Sequence, residues 1–363
     1  MAHQWILNGQ KGFEDSLEYQ ENVPIPLQSQ LNHHQVLVKL YAASLNYREI
    51  AIPSPQSYTG DMKTSVVPAC DGAGIVLAVG SSVQEFQPGD RVVTYFAPKL
   101  VEITGDDEAS CTLKDVSLML GQGTDGTLRS HGVFSEAALV HAPVSLDWLA
   151  ASTLTCTWAT AWNALFGLKD FAVGPDAWIL VQGSGGVSVA ALQIAAAVGA
   201  TVVATTSTED KAARLRSLGA AYTVNYQSNS SDWGHKARQL TPDGKGYDIV
   251  LDMGGNASLP QSLAAVRTNG LVMVLGHLGG DAAEPVAIMS VLQHTCVVRG
   301  ILGGSRAQLR ELVRFVDKHN IKPALDDKVF ELADARDAYR RLDAQKHFAK
   351  IAIRIRHSEV HSS

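Results

Sequence analysis

Cysteine is scarce in this chain of 363 residues: Cys70, Cys111, Cys156 and Cys296 lie far apart, with no CxxC spacing and no Cys/His cluster. That argues against a disulfide framework and against a closed structural zinc site, and leaves the cysteines to act as small apolar residues. Long hydrophobic runs are missing too, since none approaches the roughly 18 residues that cross a bilayer. The opening MAHQWILNGQKGFEDS lacks the basic-then-apolar layout of a secretion signal. A cytoplasmic protein with no membrane partner is therefore expected. Charge of one sign is lacking as well: the formal net charge is −6 with both signs mixed along the chain. Nucleic acid, which needs a basic stripe, is not an expected partner.

What is present is apolar content, 46% of residues, in a chain long enough for two domains. From about Trp178 short apolar runs alternate with helical stretches, the pattern of an α/β doubly wound parallel sheet. WILVQ, TVVATT, YDIVLD, LVMVLG and CVVRG read as its strands. Residues 208–218 read as a helix, with acids in the first turn, Arg214 and Arg216 late, and Gly219 just beyond. Residues 1 to about 157 alternate in polarity and read as mostly β, while the polar, glycine-bearing segment 99–131 reads as a long loop or lobe. After Gly304, Ser305 can cap a helix with Leu309, Leu312, Val313 and Val316 on one face, and the alternating IAIRI closes the chain. A strand and helix after the wound sheet suggest that the C-terminus rejoins the first domain.

The stretch Gln182-Gly183-Ser184-Gly185-Gly186-Val187-Ser188 follows a predicted strand and opens a predicted helix. A dinucleotide-binding turn puts glycines there, so that backbone N–H groups and the helix end face a pyrophosphate. Ser188 stands where the last glycine or alanine of the fingerprint belongs, and a plain tight turn is the competing reading. The next strand ends Thr205-Thr206-Ser207-Thr208 without the acid that accepts from a ribose 2′-hydroxyl. Ser207 and Lys211 can instead hold a 2′-phosphate, which favours NADPH over NADH. The alternative is a helix cap beside a solvated lysine.

SLNYREIA at 44–51, PACDGAGIVLAVG at 68–80, FQPGDRVV at 86–93, TWATAWNAL at 157–165, GSGGVSVAALQ at 183–193 and LGAAYTVNY at 218–226 together resemble the medium-chain dehydrogenase/reductase superfamily. Its quinone oxidoreductase-like and zinc-type alcohol dehydrogenase-like members are the most similar. The resemblance implies a GroES-like β domain, residues 1–157 with 303–363, and a Rossmann domain, residues 158–302. It also implies an active site in the cleft between them, a small-molecule substrate and a homodimer. By position, Tyr226 matches a tyrosine lining the adenosine phosphate pocket, Lys350 in HFAKI a basic residue near the cofactor phosphates, and Gly276-His277 the strand tip beside the nicotinamide.

Zinc-dependent members carry ligands at three stations, which match Asn46, Cys70-Asp71 and Cys156 here. The histidine of the zinc-dependent members' middle station is absent and an amide stands at the first, so no metal is expected and Cys70-Asp71 reads as a packed turn with Asp71 near the cleft wall, a Cys70-Asp71-Cys156 metal site being the alternative. A proton donor must then come from Tyr47, Arg48 or Tyr58, with Asn46 as a further hydrogen-bond donor. Tyr47 as a core ring and Arg48 as a partner of Glu49 or Asp71 are the competing readings. Trp158 and Trp162 are either substrate wall or core. The expectation is an NADPH-dependent oxidoreductase that passes hydride to an activated C=C of an enone or quinone. An alcohol dehydrogenase or ketoreductase acting on C=O, or a cofactor-binding protein without turnover, are the alternatives.

Overall fold

The computed structural model describes residues 1–56, 59–171, 173–228, 232–276, 278–280 and 283–356. The chain forms two compact units, Met1–Ala159 joined by the chain from Gly303 onward, and Thr160–Leu302. The α/β class read from the sequence is the class observed, a mostly β unit with antiparallel sheets and a second unit built on a parallel sheet.

The second unit is built on six parallel strands in the spatial order Tyr222–Asn225, Thr201–Thr206, Trp178–Gln182, Tyr247–Asp252, Val266–Val274 and Val297–Gly300. The strand order reverses beside Trp178–Gln182, so the chain leaves that strand at the switch point where such sheets bind ligands. Leu180, Val203, Val250 and Val272 fill the core from adjacent strands. Burial of each such side chain stabilises the sheet by about 1.5–3 kcal/mol. Strand Val266–Val274 begins earlier than LVMVLG suggests, because Val266 pairs with Tyr247 before a register shift carries the ladder on to Leu271.

In the first unit the eleven-residue strand Gln35–Leu45 is the organising element. It pairs antiparallel with Asp71–Val79 on one side, with Ile351–Arg354 on the other, and with His131–Ser135 along its first half. The closing strand thus returns to the β domain. Helix Arg306–His319 is capped by Ser305, whose hydroxyl accepts from the Gln308 N–H, and it buries Leu309, Leu312, Val313 and Val316. A second cluster around Trp5, Leu7, Leu45, Ile52 and Tyr339 is tied by the Trp5 indole N–H to the Leu332 carbonyl at 2.6 Å.

Residues 99–131 are not one long loop. They contain most of helix Pro98–Thr104 and the 3₁₀ stretch Leu113–Leu118, whose Thr112 cap accepts from the Lys114 N–H. Arg306 and Arg310 pair with Asp107 and Glu85, which fastens this lobe to the C-terminal helix. Trp158 and Trp162 are 1% and 8% exposed, which is the core reading of both.

Candidate active site

In the β domain three strand ends meet. Strand Gln35–Leu45 lies between Asp71–Val79 and Ile351–Arg354, with Ser44 opposite Asp71 and Leu45 opposite Ile351. Asp71 and Lys350 therefore flank the same strand end from opposite sides and pair across it, Nζ to Oδ2 at 2.9 Å. Lys350 also donates to the Leu45 carbonyl at 2.6 Å and to Asn46 Oδ1. Those bonds use all three N–H groups of the ammonium. The expected place of Lys350 among cofactor phosphates is thereby corrected: at 2% exposure it is a buried internal counter-ion. Asp71 is likewise fully buried and opens a strand, where a turn on a cleft wall was expected.

The Asp71 carboxylate also accepts from the Ser44 hydroxyl at 2.7 Å and from the Cys70 thiol at 3.5 Å. Cys156 sits in the wide π-type turn Leu154–Trp158. That turn is anchored to the Cys70 backbone through Thr94. The Thr155 hydroxyl donates to the Thr94 carbonyl at 2.7 Å, and the Thr94 hydroxyl to the Cys70 carbonyl at 2.6 Å. One ligand atom from each of Cys70, Asp71 and Cys156 lies within 4.8 Å of the others. The contact with Cys156, burial and the Asp71 charge hold the Cys70 thiol well above its ordinary pKa.

These three groups are a poor fit to zinc. A catalytic zinc takes about three anionic or imidazole ligands, whereas here the histidine station is filled by Cys70 and the carboxylate is already paired with Lys350 at 2.9 Å. Asn46 adds only an amide, with Nδ2 3.7 Å from Cys70 Sγ.

The segment after Asn46 is pinned on both flanks. Arg48 donates to the Leu120 carbonyl at 2.8 Å and to Gln122 Oε1 at 3.3 Å, so the 99–131 lobe holds it. Glu49, read from the sequence only as a possible partner of Arg48, accepts from the Asn46 backbone N–H at 2.6 Å. Its other oxygen stands 3.6 Å from Arg48, too far for a hydrogen bond, and burial pushes its pKa up to about 7 against the pull of Arg48. Nothing local in REIA marks this carboxyl as buried. Tyr47, between these anchors, is 40% exposed and is not a core ring. Tyr58 and His277 lie outside the described residues.

In the second unit, Gly183 turns the chain out of strand Trp178–Gln182 with φ +77°, a conformation that favours glycine. Ser184 and Gly185 follow, and helix Gly186–Ala197 starts with no side-chain cap, so the amides of its first turn, Val187 among them, face no capping group. Ser188 is buried and donates to the Gln182 carbonyl at 2.6 Å. That bond accounts for a serine at the fingerprint's last position, since it joins helix to strand where a smaller residue would only pack. Beside it Asp252, which the sequence reading did not single out, accepts from Ser262, Gly255, Ser258 and Gln182, tying together the carboxyl ends of adjacent strands. Gly276 passes so near Met253 that a Cβ would meet its carbonyl oxygen at 2.7 Å, a packing reason for glycine independent of any ligand.

At the tip of Thr201–Thr206 the cap of helix Glu209–Ser217 is Thr208, which accepts from the Lys211 N–H, so Ser207 is not the capping residue. The Tyr226 backbone N–H donates to the Thr206 carbonyl at 3.1 Å, which places Tyr226 beside this tip, 37% exposed.

A GroES-like β domain and a parallel sheet with a glycine turn at its switch point define a two-domain oxidoreductase for a nicotinamide cofactor. The alcohol dehydrogenase GroES-like domain family matches residues 32–146 and the zinc-binding dehydrogenase family residues 186–318. The chain is 36% identical over 359 residues to a zinc-type alcohol dehydrogenase-like protein, C1773.06c, of Schizosaccharomyces pombe, covering 98% of this chain and 100% of that one. It is 25% identical to the chloroplastic NADPH-dependent alkenal/one oxidoreductase of Arabidopsis thaliana, over 96% of this chain and 78% of that one. A crystal structure of a putative alcohol dehydrogenase from Sinorhizobium meliloti superposes with a TM-score of 0.84 at 34% identity, covering 98% of each chain. The chain belongs to the medium-chain dehydrogenase/reductase superfamily, among its zinc-type alcohol dehydrogenase-like and quinone oxidoreductase-like members. Among the described residues no helix is long and apolar enough to cross a membrane.

Proposed function

We propose that this protein is a zinc-independent, NADPH-dependent reductase that transfers hydride to the activated C=C bond of an enone, quinone or related α,β-unsaturated carbonyl. The observation that carries the reading is the Lys350–Asp71 ion pair at 2.9 Å, which meets the charge of Asp71 from within the protein. NADPH, when bound, supplies the hydride. The protein's share is to hold the substrate oxygen, stabilise the enolate and deliver a proton.

Tyr47 is the described candidate for that donor: it is exposed, and the anchored Asn46 and Arg48 on either side fix its position. Tyr58 remains the second candidate. Asn46 and Arg48 are committed to internal bonds and act as positioning residues. Gly183, Ser184, Gly185, Gly186 and Val187 would receive the pyrophosphate, and Ser207, Lys211 and Tyr226 the adenosine end with its 2′-phosphate. The Arabidopsis relative's name supports both the cofactor and the substrate class.

A second reading is carbonyl reduction, favoured by the approach of Cys70, Asp71 and Cys156 to within 4.8 Å and by the relatives' alcohol dehydrogenase names. NADPH oxidation with an enone and with its saturated ketone separates the two. Turnover of the enone alone supports the proposal, and equal turnover of the ketone overturns it. A homodimer is also proposed, supported by the edge strand Val297–Gly300 with Ile288, Met289 and Leu292 exposed close by in sequence.

A further inference from the structure

Cys70 Sγ, Asp71 and Cys156 Sγ offer two sulfur atoms and a carboxylate close enough to share one ion. Thiolate sulfur and carboxylate oxygen are competent ligands for zinc or cobalt. What distinguishes the cluster is its cations. Lys350 sits on Asp71 Oδ2, held also by Leu45 and Asn46, and is buried with no alternative partner in water. The Arg48 guanidinium stands on the thiol side, close enough to feel both sulfurs. Among the described residues Glu49 is a further nearby acid, which accepts from the Asn46 N–H and lies 3.6 Å from Arg48. A divalent ion entering here would meet a fixed ammonium already paired with its carboxylate ligand, and like charges in a desolvated site repel strongly.

We propose that Lys350 is a built-in cation that stands in for a metal at the Cys70–Asp71–Cys156 cluster, and that its charge is what keeps divalent metal out. Removing that charge converts the cluster into a metal site for a borderline ion such as zinc or cobalt. On metal entry the two thiols lose their protons to bulk buffer, as thiol ligands must. The inference rests on the zinc-independent reading above and adds to it the residue responsible.

The test is titration of the full-length protein with cobalt(II) chloride, followed by thiolate-to-cobalt absorption and by thermal stability. Wild type should show no thiolate band at stoichiometric cobalt. Lys350→Met should bind cobalt at least on the order of a hundredfold more tightly, with the thiolate band and a rise in Tm on binding. A metal-free Lys350→Met with no band overturns the inference while leaving zinc independence standing. A thiolate band in wild type overturns both. Because Lys350→Met strands the Asp71 charge, Asn46→Cys serves as a second variant: it adds a sulfur ligand and keeps the ammonium. Under the proposal it stays free of cobalt, and a thiolate band in it shows that the lysine does not exclude metal.

Discussion

The Lys350 ammonium lies 2.9 Å from the Asp71 carboxylate, across the end of the strand that separates them, with both side chains out of solvent. The pair joins two parts of the chain 279 positions apart, so it fastens the closing strand to the core of the β domain.

Breaking one partner of a buried pair leaves the other charged and unsolvated. Asp71→Asn alone, and Lys350→Met alone, should each destabilise the protein by about 3–5 kcal/mol. The double variant Asp71→Asn with Lys350→Met should recover most of that, because neither charge is stranded. Urea unfolding of the variants checks this, and strictly additive losses would mean that the two groups do not depend on each other.

Glu49 gives a pH dependence of defined sign. Its pKa in the fold is about 7, above the ordinary value of 4.5, so the protonated form favours folding. Its contribution is complete below the ordinary value and is lost as pH rises through about 7. Glu49→Gln, neutral throughout, should gain on wild type by up to roughly 3 kcal/mol between about pH 5 and about pH 8. Unfolding free energies of the two proteins across that range would show it, and a difference that does not change with pH would assign Glu49 an unshifted carboxylate.

Cofactor choice is expected to reside at the tip of strand Thr201–Thr206. A charge-assisted hydrogen bond to phosphate lost from Lys211→Ala should weaken NADPH about tenfold and leave NADH within about twofold. Ser207→Ala should act in the same direction and less strongly, since a hydroxyl carries no charge. Nucleotide fluorescence titrations measure both, and equal losses for the two cofactors would place the 2′-phosphate elsewhere.

The parallel sheet was legible because its strands are β-branched apolar runs bounded by glycine and polar turns, and burial on both faces leaves that mark on the sequence. The start of Val266–Val274 was not, because Arg267, Thr268 and Asn269 carry the register shift and look like a loop. The glycine turn after Trp178–Gln182 was readable because a left-handed φ at Gly183 favours glycine. The cluster in the β domain was only half readable. Cys70, Asp71 and Cys156 could be set side by side through the family resemblance, yet Lys350 was assigned to the cofactor. Its real partners depend on strand order, which no window of sequence records. Glu49 reads in the sequence only as a partner for Arg48, because a polar residue in a short helical turn ordinarily faces water, and only the packed surroundings bury it.

The most direct test of metal-independent NADPH chemistry is enone reduction by protein dialysed against a strong chelator, with the zinc content of the same sample measured. The account predicts zinc far below one ion per chain and undiminished NADPH-dependent turnover after dialysis. Stoichiometric zinc in the purified protein, with activity lost on chelation and restored by added zinc, would contradict it.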